Sequence, residues 1–286
     1  PSPPEKVQPE FVRHGFSNSF VTGNVFFPRP MRQDIADDLL VVDGETVFHY
    51  THFSLAVSRA RKLARWVAWN VDGSSLKRLS TNGINFRKDP RIPRDAQNGN
   101  ELYRNNPLDR GHVARRADLN WGPMQEAQQA NRDSYFYTNI APQHEDFNQS
   151  SAGGIWGELE NAIFADVDIE DLKVSILGGP IFADDDPVHR GVQLPQSYWK
   201  AIYYRELGQV TVRVRAYVLT QSDLLNELEV LELPEFAVFE ISVNELQGLT
   251  GLDILNATPP SRRSSGTEAL GSGGRVRRVM SAREIA

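Results

Sequence analysis

From Val210 to Val218 an apolar residue stands at every second position, Val210, Val212, Val214, Ala216 and Val218, with Arg213 and Arg215 among the residues between them. A period of two belongs to an extended strand, because successive side chains leave a strand on opposite faces. The pattern predicts a half-exposed strand and requires a sheet for it to join. Further strand signals, rich in aromatic and β-branched residues, fall at 45–58, 65–71, 173–177, 198–205 and 211–219, with a short buried one at 135–139. Asp72-Gly73 is a turn signal at the end of the first pair, which reads as a hairpin. Helical readings at 120–132, 221–231 and 242–248 are scattered among the strands, and Ser242 ahead of Asn244-Glu245 suits a helix start. Strands in neighbouring runs with irregularly placed helices predict an α+β fold with a mainly antiparallel sheet.

The 286 residues, 40% of them hydrophobic, suffice to bury a substantial core. They include no cysteine, which excludes disulfides, zinc fingers and thiol-protease chemistry. No run of about eighteen apolar residues occurs, so no membrane partner is expected. Residues 1–45 are proline-rich and then acidic, and read as an arm packed on a domain spanning 46–257. Residues 258–286 hold six arginines among prolines, serines and glycines, and read as a basic, disordered tail. The start, Pro1-Ser2-Pro3-Pro4 without methionine, reads as a processed terminus, with a secreted or periplasmic location expected. A net charge of −6 is unfavourable for a polyanionic partner, yet residues 87–116 carry a local +4. Local field, more than net charge, draws a ligand into a cleft.

That basic island contains Asp109-Arg110-Gly111-His112. A histidine serves as a base near neutral pH, an arginine suits a phosphate, and the glycine between them lets backbone approach a ligand closely. Arg110 equally suits an ion pair with Asp109, and the sequence leaves both readings open. Downstream stand Asn148-Gln149 and Trp156-Gly157-Glu158-Leu159-Glu160. An amide oxygen such as that of Asn148 is a donor that a hard divalent cation accepts, although Phe147-Asn148-Gln149 alone reads as a helix cap. If 155–167 is helical, Trp156, Leu159 and Ile163 share its apolar face. Glu160 is then a partly buried carboxylate needing a partner, either a metal's water shell or a nearby arginine.

Other landmarks keep the same order: Asn85-Phe86-Arg87-Lys88-Asp89-Pro90, Tyr137 through Gln143, Leu177-Gly178-Gly179-Pro180, Val192 through Pro195, Tyr198-Trp199-Lys200 and Leu249-Thr250-Gly251-Leu252. Over residues 48–255 the chain thereby resembles the DNA/RNA non-specific endonucleases, the ββα-metal (His-Me finger) nucleases that include Serratia-type enzymes and endonuclease G. The resemblance implies a Mg2+-dependent endonuclease, with Mn2+ able to substitute, that cuts DNA and RNA with little sequence preference. It implies His112 as general base, Asn148 as the one direct metal ligand and Glu160 as support for the metal's waters. Arg110, Asp109, Asn139 and Gln143 would shape the phosphate and metal surroundings. Ile84 stands where those enzymes have an arginine, and Arg87 is the candidate substitute. Besides the substrate, a second copy of the chain or an inhibitor protein is the partner this reading admits. The rival reading is a nucleic-acid-binding protein of the same fold without turnover.

Overall fold

The computed structural model describes residues 12–144, 169–221, 237–255 and 277–279. Its first half contains β1 (Arg29–Pro30), α1 (Gln33–Asp38), β2 (Phe48–His49), β3 (Phe53–Val57), β4 (Ala64–Asp72), β5 (Leu108–His112), α2 (Arg116–Leu119), α3 (Met124–Asp133) and β6 (Ile140–His144). Then come β7 (Ile169–Ile181), β8 (Val188–His189), β9 (Val192–Gln193), β10 (Ser197–Glu206), β11 (Val212–Thr220), β12 (Ala237–Ile241), α4 (Val243–Thr250), β13 (Leu252–Asp253) and β14 (Arg277–Val279). Eight strands form one antiparallel sheet in the order β14-β12-β11-β10-β7-β4-β3-β2. β5 and β6 form a separate antiparallel ribbon. The architecture is the expected α+β one.

Alternation along the central strands lets both faces of the sheet become dry. Leu55, Val67, Trp69, Ile176, Ile202 and Tyr217 share one core with Leu119, Ala130, Phe136 and Ala141, so this face receives α2, α3 and the ribbon. Ala56, Trp66, Ala68, Leu177, Ala201 and Ala216 share a second core with Phe16, Val25, Ile35 and Leu246. That opposite face receives the 12–44 segment and α4. Full burial of one large apolar side chain contributes about 1.5–3 kcal/mol, so the two layers together fix the sheet.

Several local expectations change. Only the first half of β11 is half-exposed, with Arg213 paired to Glu206 at 3.0 Å; Ala216 to Leu219 are buried, because both layers cover them. The 45–58 run is not one strand, since His52 adopts φ 70° and breaks it into β2 and β3. β3 and β4 do form a hairpin, but the chain reverses at 58–63; Asp72 instead caps a 3-10 turn, Gly73–Ser75, accepting from the Ser74 N–H. Residues 137–139 are a 3-10 turn and the strand begins only at Ile140. The helix predicted from 120 begins at Met124, because Gly122 has φ 78° and the residue before Pro123 is steered away from helical backbone. The start at Ser242 holds, closed by a capping box with Glu245. Within the tail expected to be disordered, Arg277–Val279 pair with β12 as an edge strand. Residues 222–231 lie outside the described set. No helix among the described residues is long and apolar enough to cross a membrane.

Candidate active site

The ribbon carries the Asp-Arg-Gly-His motif on β5. Asp109 sits opposite Gln143, Gly111 opposite Ala141 and His112 opposite Ile140. Strand alternation places Arg110 and His112 on one face, and Asp109, Gly111 and Gln143 on the other. The outer edge of β6 ties the ribbon to the rest of the fold. The Tyr198 hydroxyl donates to the Pro142 carbonyl at 2.6 Å; the Gln221 carboxamide donates to the same carbonyl at 3.2 Å and accepts from the His144 N–H at 2.9 Å.

On the first face the His112 ring is half-buried, edge-on to Tyr135 (centroids 5.3 Å apart) and tilted against Phe86 (5.7 Å). Its Nε2 is enclosed and has no hydrogen-bond partner among the described residues. Burial pushes the imidazole pKa down to about 4, and the Arg116 guanidinium adds to the effect. Neutral imidazole, the proton-accepting form, is therefore the state at ordinary pH. The Arg110 guanidinium lies over Phe86 and Tyr103, 5.4 and 5.2 Å from their centroids, and donates to the Asn100 carboxamide oxygen. These partners are neutral, so they orient the charge without cancelling it.

On the second face a Cβ at Gly111 would run into the Gln143 carboxamide. The close approach that glycine permits here is by a side chain of the same ribbon. Gln143 is fully buried, and neither polar atom of its carboxamide has a hydrogen-bond partner among the described residues. Asn139 is also fully buried but wholly engaged: it accepts from the Ala114 N–H (2.9 Å) and donates to the carbonyls of Ala114 (3.0 Å) and Ser134 (3.2 Å). It fixes the backbone just past His112, and those bonds also hold residues 137–139 in a turn.

The structure does not bring Arg87 to His112. Its guanidinium lies 4.1 Å over the Phe136 ring, and the charges that influence it most are Asp133 and Arg13. Asn148 and Glu160 lie outside the described residues. Among the described residues no three His, Asp or Glu side chains converge as a metal-binding group. Sequence reasoning counted Arg116 only as part of the basic island and did not single out Asn100, Tyr103 or Tyr135. Their approach to Arg110 and His112 is tertiary, and no local spacing signals it.

Residues 36–261 match the family of DNA/RNA non-specific endonucleases. The chain is 36% identical over 199 residues to the uncharacterized protein y4fB of Sinorhizobium fredii, covering 67% of this chain and 30% of that protein. It is 26% identical to a nuclease of Nostoc sp., over 74% of each chain, and 26% identical to a nuclease of Serratia marcescens, over 74% of this chain and 76% of that one. This chain therefore spans less than a third of y4fB but about three quarters of the two nucleases. Its fold resembles a chain from the crystal structure of the EndoG/EndoGI complex, with a TM-score of 0.59 and 16% identity over 76% of this chain and 89% of that one. That likeness bears on the fold alone, which is the ββα-metal nuclease fold expected from the motif. With the motif-bearing ribbon inside the matched residues 36–261, the chain belongs to the DNA/RNA non-specific endonuclease family and is an endonuclease.

Proposed function

We propose that this chain is a Mg2+-dependent endonuclease that hydrolyses phosphodiester bonds in both DNA and RNA. The carrying observation is His112, neutral at ordinary pH, with an unpartnered ring nitrogen on the same ribbon face as the oriented Arg110. Neutral His112 takes a proton from water as the water oxygen bonds to phosphorus. The bond from phosphorus to the 3′ oxygen then breaks, and that oxygen leaves with a proton from solvent. Arg110 binds a non-bridging phosphate oxygen and opposes the charge that grows there. General-base assistance of this kind contributes about 10²–10⁴-fold.

The buried Gln143 carboxamide offers a hard oxygen with nothing to bond, which suits the water shell of a small divalent cation. Asn148 would hold the ion directly and Glu160 would orient its waters. When bound, the ion supplies charge neutralisation at the phosphate. An inhibitor protein is the partner class proposed beyond the substrate, in line with the inhibited complex of the fold neighbour. The cysteine-free composition suits a secreted or periplasmic setting, where an exposed thiol would oxidise.

Supercoiled plasmid and RNA, incubated with the protein and Mg2+ with and without EDTA, test this reading. Both substrates should be cut, EDTA should stop it, and His112→Ala should lose orders of magnitude in turnover while still binding DNA. Intact substrates at high enzyme and magnesium would sink the proposal. Salt-sensitive DNA retention without cleavage in any divalent metal would favour the rival reading of a binding protein.

A further inference from the structure

A cleft of about 430 Å3 opens beside the aromatic face that carries Arg110 and His112. Leu102 and Val192 line it and also pack into the cluster that contains Tyr103 and Tyr137. Asn100, which orients Arg110, immediately precedes the cleft residue Glu101. The cleft and the active face thus share a wall.

The cleft has five cations, Arg61, Lys62, Lys88, Arg94 and Arg190, against Asp95 and Glu101. Arg61 is engaged with Asp186 at 2.8 Å, and Lys88 donates to the main-chain carbonyls of Arg94 and Gln97, both at 2.9 Å. Arg190 donates through Nη1 to the Glu101 carbonyl at 2.8 Å. Lys62 and Arg94 are exposed and make no side-chain hydrogen bond or ion pair among the described residues.

The backbone points the same way. Six non-glycine residues among those described have positive φ, and the two cations of that set, Lys62 (56°) and Arg190 (51°), both line this cleft. They sit at the turns joining β3 to β4 and β8 to β9. Glycine would hold either turn with less strain. Strain retained where two charges converge is an observation from which function is inferred.

We propose that this cleft is a second phosphate subsite, in which Lys62, Arg94 and Arg190 bind a backbone phosphate flanking the one that is cut. The nucleic-acid strand then runs from His112 past Arg110 into the cleft. The inference rests on the proposed hydrolysis of nucleic acid, and its test separates the two. The variant Lys62→Gly/Arg94→Gln/Arg190→Gly is compared with the parent on a long single-stranded oligonucleotide and on a dinucleotide with one phosphodiester. KM for the oligonucleotide should rise about five- to tenfold for three exposed contacts, and the slope of log affinity against log salt should shrink by about two. Turnover of the dinucleotide should be unchanged, and the melting temperature should be no lower than the parent's. An unchanged oligonucleotide KM and salt slope would overturn the subsite, and so would an equal loss on both substrates. If the parent cuts neither substrate, the hydrolytic reading fails, and the salt slope of oligonucleotide binding still decides the subsite.

Discussion

Charging His112 is unfavourable because its ring lies half-buried between Phe86 and Tyr135, within the field of Arg116. An ordinary imidazole titrates at 6.5, whereas this one falls to about 4. The acid limb of kcat/KM for plasmid cleavage is therefore expected near pH 4, with this base costing no activity between about pH 8 and 5. A limb centred on the ordinary value in a pH–rate profile would place the base elsewhere. The same depressed value makes the unfolded chain bind a proton, between 6.5 and about 4, that the folded one refuses. This group's stabilising effect is thus present above 6.5 and lost as pH falls through that window. Asn139→Ala would leave the Ala114 N–H and the Ala114 and Ser134 carbonyls unpaired, costing about 2–4 kcal/mol in a denaturant melt and lowering kcat more than it raises KM. Gly111→Ala forces the Gln143 carboxamide aside at about 1–3 kcal/mol. Adding Gln143→Ala should recover part of that loss, and additive melting shifts would show that the two residues are not coupled.

Among the elements, α4 gives the cleanest test. Its capping box uses the Ser242 hydroxyl and the Glu245 carboxylate, so Ser242→Ala should cost about 1 kcal/mol, seen as a lower melting temperature with the active site untouched. That helix was legible because caps are local chemistry. The sheet was legible too, since β4, β10 and β11 write the pleat into their side-chain order. The break at His52 was not legible: a left-handed histidine is held by its Nδ1 contact to the Leu119 carbonyl, 67 residues away. The late start of β6 depends in the same way on the bonds of Asn139 to Ala114, 25 residues back. The motif around His112 could be read as chemistry, but not its aromatic enclosure, because Tyr135 and Phe86 reach it only after the ribbon packs.

At the scale of the molecule, the 12–44 segment serves as the cover of the second core. Phe16, Val21, Val25 and Ile35 lie in that core, and Phe27 stacks on Trp66 with centroids 5.2 Å apart. A chain beginning at residue 36, where the family match begins, would bare Trp66 and its neighbours. Loss of soluble yield and a large fall in melting temperature are expected; an unchanged melt would show that the cover is dispensable. The ribbon, by contrast, stands apart from the main sheet, and a two-stranded ribbon ordinarily leaves an edge on which a stray chain can dock as an added strand. Here the Gln221 carboxamide occupies the place of that stranger's peptide group, taking the His144 N–H and meeting the Pro142 carbonyl, while proline itself has no N–H to give. One side chain thus lets the enzyme hold its catalytic strands outside the sheet without their becoming a template for self-association.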